Sequence, residues 1–157
     1  MLEVKNLKTY FKTKAGDAQA VDDVTFTVNS GENFGIVGES GCGKTTAAKS
    51  IIKLLPPNGE IKGGQIVYNG RDLAAISEAE MRKVRWAEVS MISQSAMNSL
   101  NPVYKVGDQI VEAIQAHEPV SRSEAMDRAR ELFKLVGIDS KRLTDYPHQF
   151  SGGMKQR

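Results

Sequence analysis

With 157 residues the chain holds about one domain's worth of core, and 40% hydrophobic with 25% charged residues exclude a disordered or fibrous polymer. Lys plus Arg number 21 against 19 for Asp plus Glu, a net charge of +2 mixed along the chain, so neither nucleic acid nor an anionic membrane surface is indicated as a partner. A single cysteine excludes an internal disulfide, no run approaches the ~18 apolar residues of a membrane helix, and the start at Met1 lacks the apolar stretch of a secretory leader; composition reads as a soluble, cytosolic chain.

The elements follow in chain order, with no internal repeat or low-complexity tract. Residues 2–7 read as a short strand and residues 13–17 as a polar loop. Val24, Phe26 and Val28 alternate with polar neighbours, the period of a half-buried strand over residues 21–28. Asn29-Ser30-Gly31 is a turn, and residues 33–37 predict a short strand whose end, Ile36-Val37, is apolar enough for burial. A glycine-rich loop and a helix over residues 44–54 follow, stopped by Pro56-Pro57. Residues 65–68 alternate as a strand and close on Asn69-Gly70, a tight-turn pair. Ser77 with Glu80 spells a capping box for a helix to Val84, and residues 89–92 read as a strand. After the break at Asn101-Pro102, Val106, Ile110, Val111 and Ile114 fall at helical spacing. Ser121 and Glu124 form a second capping box, opening a helix that Gly137 ends. Strands dominate the first part and helices the second, as in a mixed sheet carrying a helical insertion.

The sharpest signal is Gly38-Glu39-Ser40-Gly41-Cys42-Gly43-Lys44-Thr45, a match to G-x-x-x-x-G-K-[ST] at every fixed position. Its residue types suit a polyphosphate. Glycines let backbone N–H groups converge on a dense anion, and the helix opening near Lys44 aims its positive end at it. Lys44 would reach the β- and γ-phosphates, and the Thr45 hydroxyl would ligate Mg²⁺. Gly38, Ser40, Gly41, Cys42, Gly43, Lys44, Thr45 and Thr46 are therefore the candidate nucleotide-binding residues. A strand-to-helix turn needing glycines for shape alone is the bland reading. Cys42 reads as a small residue that fits, though a thiol beside Lys44 and a helix start invites an alkylation test.

The chain ends on Phe150-Ser151-Gly152-Gly153-Met154-Lys155-Gln156-Arg157. Alone, Ser-Gly-Gly is ordinary loop sequence. Behind a phosphate loop, it resembles the signature motif of the ATP-binding subunits of ATP-binding cassette (ABC) transporters, and the resemblance runs from Leu2 to Arg157. Gly35-Ile36-Val37-Gly38-Glu39-Ser40-Gly41, Ser99-Leu100-Asn101-Pro102 and Tyr146-Pro147-His148-Gln149-Phe150-Ser151-Gly152-Gly153-Met154 are similar to segments of the oligopeptide and dipeptide importer subgroup.

The resemblance implies an α/β fold: a P-loop NTPase (RecA-like) core with an antiparallel β subdomain and a helical insertion, divided as residues 1–93, 94–150 and 151–157. It implies Gln94 as the Q-loop glutamine, catalytic with Lys44 and a metal ligand with Thr45, and Phe11 as the aromatic stacked on adenine, with Tyr10 the neighbouring choice. It implies that Ser151 and the N–H groups around Gly153 bind the γ-phosphate of ATP held by a second ATP-binding subunit. Cofactors would be ATP and Mg²⁺. Partners would be that subunit, identical or related, transmembrane permease subunits and, indirectly, a substrate-binding protein; nucleic acid is not expected. The place implied is the cytoplasmic face of the cell membrane, held peripherally, and the activity is ATP hydrolysis powering import of di- or oligopeptides.

The family's water-polarising Asp-Glu pair at the end of an apolar strand has no match here; Leu135-Val136-Gly137-Ile138-Asp139 is broken by glycine and followed by Ser140. The switch histidine is missing too: His148 reads as a loop residue without metal-ligand spacing to His117 or Cys42. The expectation is an N-terminal portion of a longer subunit, truncated before the Walker B strand, binding nucleotide weakly and turning over well below about 1 s⁻¹. Two rivals stand beside it. One is a cassette ATPase without a transport role, the other a P-loop small-molecule kinase.

Overall fold

The computed structural model describes residues 1–93 and 99–157, and Met1–Ser90 and Met91–Arg157 form two compact units. In the first, β1 (Leu2–Thr13) lies between β2 (Gly16–Val28) and β3 (Gly59–Tyr68), and β4 (Arg71–Asp72) adds the fourth strand in the order β2-β1-β3-β4. All pairings are antiparallel, and Leu2 stands opposite both Val28 and Tyr68.

β1 and β3 are longer than alternation alone predicts, because both bulge. Asn6 takes φ +49°, its N–H donates to Thr25 Oγ1 (2.9 Å), and its side-chain amide donates to Asp23 Oδ1 (2.8 Å). Across the other ladder Gly64 has φ +86°, and a Cβ there would lie 2.4 Å from the Asn6 carbonyl oxygen. The bulge steps the buried positions from Val4 to Leu7 and erases the period of two. Gly64 therefore marks a close backbone approach within β3. At the far end of β1, Thr13 Oγ1 donates to the Gly16 carbonyl at 2.6 Å, so the expected loop over residues 13–17 shrinks to a tight hairpin.

Two helices, α1 (Lys44–Ile51) and α2 (Glu78–Val84), contribute to the core around this sheet. Val4, Leu7, Ile66, Leu73, Met81 and Val84 are wholly buried. Each large apolar side chain so placed contributes about 1.5–3 kcal/mol. One polar pair sits among them. Ser50 donates to the Thr46 carbonyl (2.8 Å), which leaves Thr9 as donor to Ser50 Oγ (2.8 Å); both hydroxyls are satisfied and fix α1 to β1.

α1 stops at Ile51, short of the expected residue 54, in a left-handed cap. The N–H of Leu54 donates to the Lys49 carbonyl (2.9 Å) and that of Lys53, at φ +51°, to Ser50 (3.1 Å). A lysine holds this glycine-type position because its Nζ donates to the carbonyls of Ala74 and Ile76 (3.2 and 2.8 Å). Arg85 completes the stop, its guanidinium donating to the Ile52 and Lys53 carbonyls (2.7 and 2.9 Å) while pairing with Glu78 (2.5 Å). A cation at the negative end of α1 complements the helix dipole.

Two expected strands are not formed. Residues 33–37 have no ladder, and Ile36 and Val37 are 44% and 95% exposed. Residues 89–92 make a single parallel bridge, Arg85 to Val89, and Ile92 is 91% exposed. The physical reason is the same for both. Short, largely apolar strands belong in sheets covered on both faces, and among the described residues no strand is hydrogen-bonded beside either segment.

The second unit packs α3 (Val106–His117) on α4 (Arg122–Leu135), with one 3₁₀ turn over Ser140–Thr144, another over Pro147–Gln149, and the short α5 (Gly152–Gln156). Val106, Ala129, Phe133, Ile138, Leu143 and Phe150 form its larger core; Val111, Ile114 and Ala125 form a smaller one. Past the end of α4, Gly137 turns left-handed (φ +68°) and Ile138 N–H donates to the Phe133 carbonyl. Asp139, in the weak Asp-strand imitation, instead caps the first 3₁₀ turn by accepting from Lys141 N–H (2.9 Å).

Both capping boxes form as the spacing predicts: Ser77 with Glu80 and Ser121 with Glu124 each close reciprocally. Hydrogen bonds from the serine hydroxyl, then the serine N–H, hold each glutamate below the ordinary carboxylate range. A carboxyl lowered in the folded state stabilises fully above the unfolded value, about pH 4.3, and that contribution disappears as pH falls through the folded value. Between about pH 5 and 3, the E80Q/E124Q variant should therefore lose Tm less steeply than the parent, since glutamine keeps the box without titrating. Parallel Tm curves in thermal melts by circular dichroism would contradict this.

Candidate functional site

The candidate phosphate-binding residues sit where β2 meets the start of α1. The first i→i−4 bond of α1 runs from Ala47 N–H to the Gly43 carbonyl (2.8 Å), so the N–H groups of Lys44, Thr45 and Thr46 lie in the helix's first turn, where no intrahelical acceptor exists. Ser77 caps α2 and Ser121 caps α4 with their hydroxyls, whereas the N-cap of α1 is Gly43, with no side-chain bond. Those amides and the positive end of the helix dipole are left to face the loop.

Gly43 makes this geometry attainable. Its φ is +93°, and a Cβ would fall 2.2 Å from the Ala20 carbonyl oxygen, so the loop presses directly on β2. Gly41 also turns left-handed, at φ +85°, with open space beside it. Cys42 Sγ sits over Gly38, where a Cβ would approach it to 2.6 Å. The loop's cation folds across its mouth: Lys44 Nζ donates to the carbonyls of Gly38 (2.8 Å) and Glu39 (2.7 Å), with Cys42 Sγ at 3.5 Å. An open cleft of about 480 Å³ adjoins the loop, lined by Val21, Phe26, Phe34, Ile36, Cys42 and Lys44 among others. Phe26 and Phe34 stack along it with centroids 5.1 Å apart.

The other predicted positions are distributed. Ser40 and Thr45 are exposed, and Thr46 is half-buried with its carbonyl engaged by Ser50. Phe11 is half-buried, its ring crowding Gly59, where a Cβ would meet it at 2.8 Å. Tyr10 donates its hydroxyl to Asp22 (2.8 Å), which raises the phenol's pKa and lowers the carboxyl's. Gln94 lies outside the described residues. Ser151 and Gly153 belong to the second unit: Ser151 is the N-cap of α5, accepting from Met154 N–H (3.3 Å), and Gly153 is exposed in that helix's first turn. His148 stacks on Tyr146 at 5.7 Å. Composition and spacing gave no hint of Arg142, whose side chain flanks the Ser151 turn on both sides; its contacts depend on how the 3₁₀ segments fold back.

A family model described as "ABC transporter" matches residues 21–157. The chain belongs to the ABC transporter family. It is 49% identical over 160 residues to the oligopeptide transport ATP-binding protein OppD of Bacillus subtilis (strain 168), covering 100% of this chain and 45% of that protein. To the dipeptide transport ATP-binding protein DppD of the same organism it is 46% identical, covering 100% of this chain and 48% of the relative. The chain thus spans about half the length of the curated relatives it matches. Among solved structures, the cassette MJ0796, described as dimeric and bound to ADP and Pi, superposes with a TM-score of 0.81 at 21% identity, over 99% of this chain and 65% of that one. That likeness shows the fold to be that of an ATP-binding cassette, as the resemblance implies. Family membership removes the small-molecule kinase as a rival.

Proposed function

We propose that this chain binds Mg²⁺–ATP at residues 38–46 and belongs to the motor subunit of a transporter importing di- or oligopeptides. The observation that carries the reading is the glycine-capped start of α1, with Lys44 Nζ poised over the loop. The relatives named for oligopeptide and dipeptide transport support the substrate class. Lys44 exchanges its two carbonyl acceptors for the β- and γ-phosphate oxygens, a stronger charge-assisted pairing. The amides of Gly41, Gly43, Lys44, Thr45 and Thr46 supply the remaining donors, with Ser40 and Cys42 at the rim. Thr45 offers its exposed hydroxyl to Mg²⁺, with Gln94 as the further ligand. The metal supplies charge neutralisation between the phosphates. Phe11 is the stacking partner for adenine. Ser151 and the Gly153 amide serve the nucleotide of a second subunit, so that ATP holds two subunits together and its loss releases them, which gives the differential binding a motor needs. Permease subunits at the inner face of the membrane receive that motion.

Cys42 reports on the first step. It is exposed, within the loop, and beside Lys44. Mg²⁺–ATP is expected to slow its alkylation by a maleimide at least about tenfold, as a ligand at about ten times its Kd would. Labelling at the same rate with and without nucleotide would remove the reading.

A further inference from the structure

We infer that Arg142 is a positioning residue that sets the attitude of the Ser151–Gly153 turn toward nucleotide, an inference that rests on the trans role just proposed for that turn. Its guanidinium is engaged on every edge. Nε donates to Asp145 Oδ2 (3.0 Å), Nη2 to the Gln149 carbonyl (2.7 Å), and Nη1 reaches Met154 Sδ (3.6 Å). Its Cζ stands 5.0 Å from the centroid of the Phe150 ring. Gln149 and Phe150 precede Ser151 and Met154 follows it, so one planar cation clamps both sides of the turn.

The clamp is itself anchored. Phe150 is 6% exposed and meets Phe133 of α4 edge-on at 6.3 Å. Asp145 is tied by its carbonyl to Val106 N–H at the start of α3 (2.9 Å). By contrast, α5 has only five residues and one long cap bond of 3.3 Å from Met154 N–H to Ser151 Oγ. So short a helix has no stability of its own. Arg142 holds its first turn, while Met154 packs on the larger core and Arg157, just past its end, donates to the Val136 and Gly137 carbonyls (3.4 and 3.3 Å). Lysine does not substitute: a single ammonium lacks both the fork that spans Asp145 and Gln149 and the flat face that covers Phe150.

The test compares Arg142→Ala and Arg142→Lys with Arg128→Ala on α4, which removes an exposed ion pair to Glu118 at the end of α3. Amide hydrogen exchange reads the geometry. Fluorescent ATP analogue binding reads the phosphate loop, and sedimentation with Mg²⁺–ATP reads nucleotide-dependent pairing of two chains. Both Arg142 variants should speed exchange of the Met154 and Lys155 amides, which bond to Ser151, about tenfold, with α3 and α4 amides unchanged. Analogue affinity should hold, while the ATP concentration for half-maximal pairing rises about tenfold or more; the Arg128 variant should match the parent in all three. Exchange that is unchanged, or faster throughout the second unit, overturns the positioning role, as does normal pairing despite faster exchange at the turn. A parent chain that binds the analogue but never pairs overturns the trans reading, and this proposal with it. A parent that pairs alongside an Arg142→Ala variant that pairs equally well overturns the proposal alone.

Discussion

Gly43→Ala is expected to destabilise the first unit by about 3 kcal/mol, while Gly41→Ala costs about 1 kcal/mol. Both glycines are left-handed, at φ +93° and +85°, so both substitutions carry the backbone penalty of an L-residue there. Only at Gly43 does the new methyl also meet backbone, the Ala20 carbonyl oxygen at 2.2 Å; at Gly41 nothing lies within 4 Å. Relief requires the loop to lift off β2. That would carry the start of α1 away from the sheet to which Thr9 and Ser50 fasten it. Denaturant midpoints for the two variants decide the matter. Equal losses would mean that the contact with β2 is unimportant and that only dihedral preference acts.

The sequence was most readable where a local rule suffices. Ser77 with Glu80 and Ser121 with Glu124 announced two helix starts because a capping box closes within four residues. The glycine-rich loop over residues 38–43 and the helix start at Lys44 were legible for the same reason: they are contiguous. What escaped notice depends on distant partners. Asn6 and Gly64 form one bulge only because β1 and β3 meet, and the period of two that would have extended both strands is lost there. Residues 33–37 and 89–92 carry strand-like composition, yet composition does not say which neighbour supplies the ladder. Arg142 acts on groups three to twelve positions away, across turns whose path no pattern predicts.

Lys44→Ala should weaken Mg²⁺–ATP binding by roughly 100-fold, the usual scale for truncating one partner of a close charge pair. The fold should scarcely notice. The ammonium's acceptors, the Gly38 and Glu39 carbonyls, belong to an exposed loop where water replaces a lost donor. Thermal stability and nucleotide affinity therefore separate: a Tm near that of the parent with binding almost abolished. Lys44→Arg should fall close to the alanine variant, because a guanidinium is too broad for a mouth that places two carbonyls 2.8 and 2.7 Å from a single nitrogen. In the transporter proposed above, the same substitution is expected to stop peptide uptake together with the ATP-dependent pairing of the two ATP-binding subunits. Titration calorimetry on the chain and labelled-dipeptide uptake by membrane vesicles measure the two consequences. An alanine variant that keeps parental affinity would show that the amides alone hold the polyanion, and the central cation would lose its role.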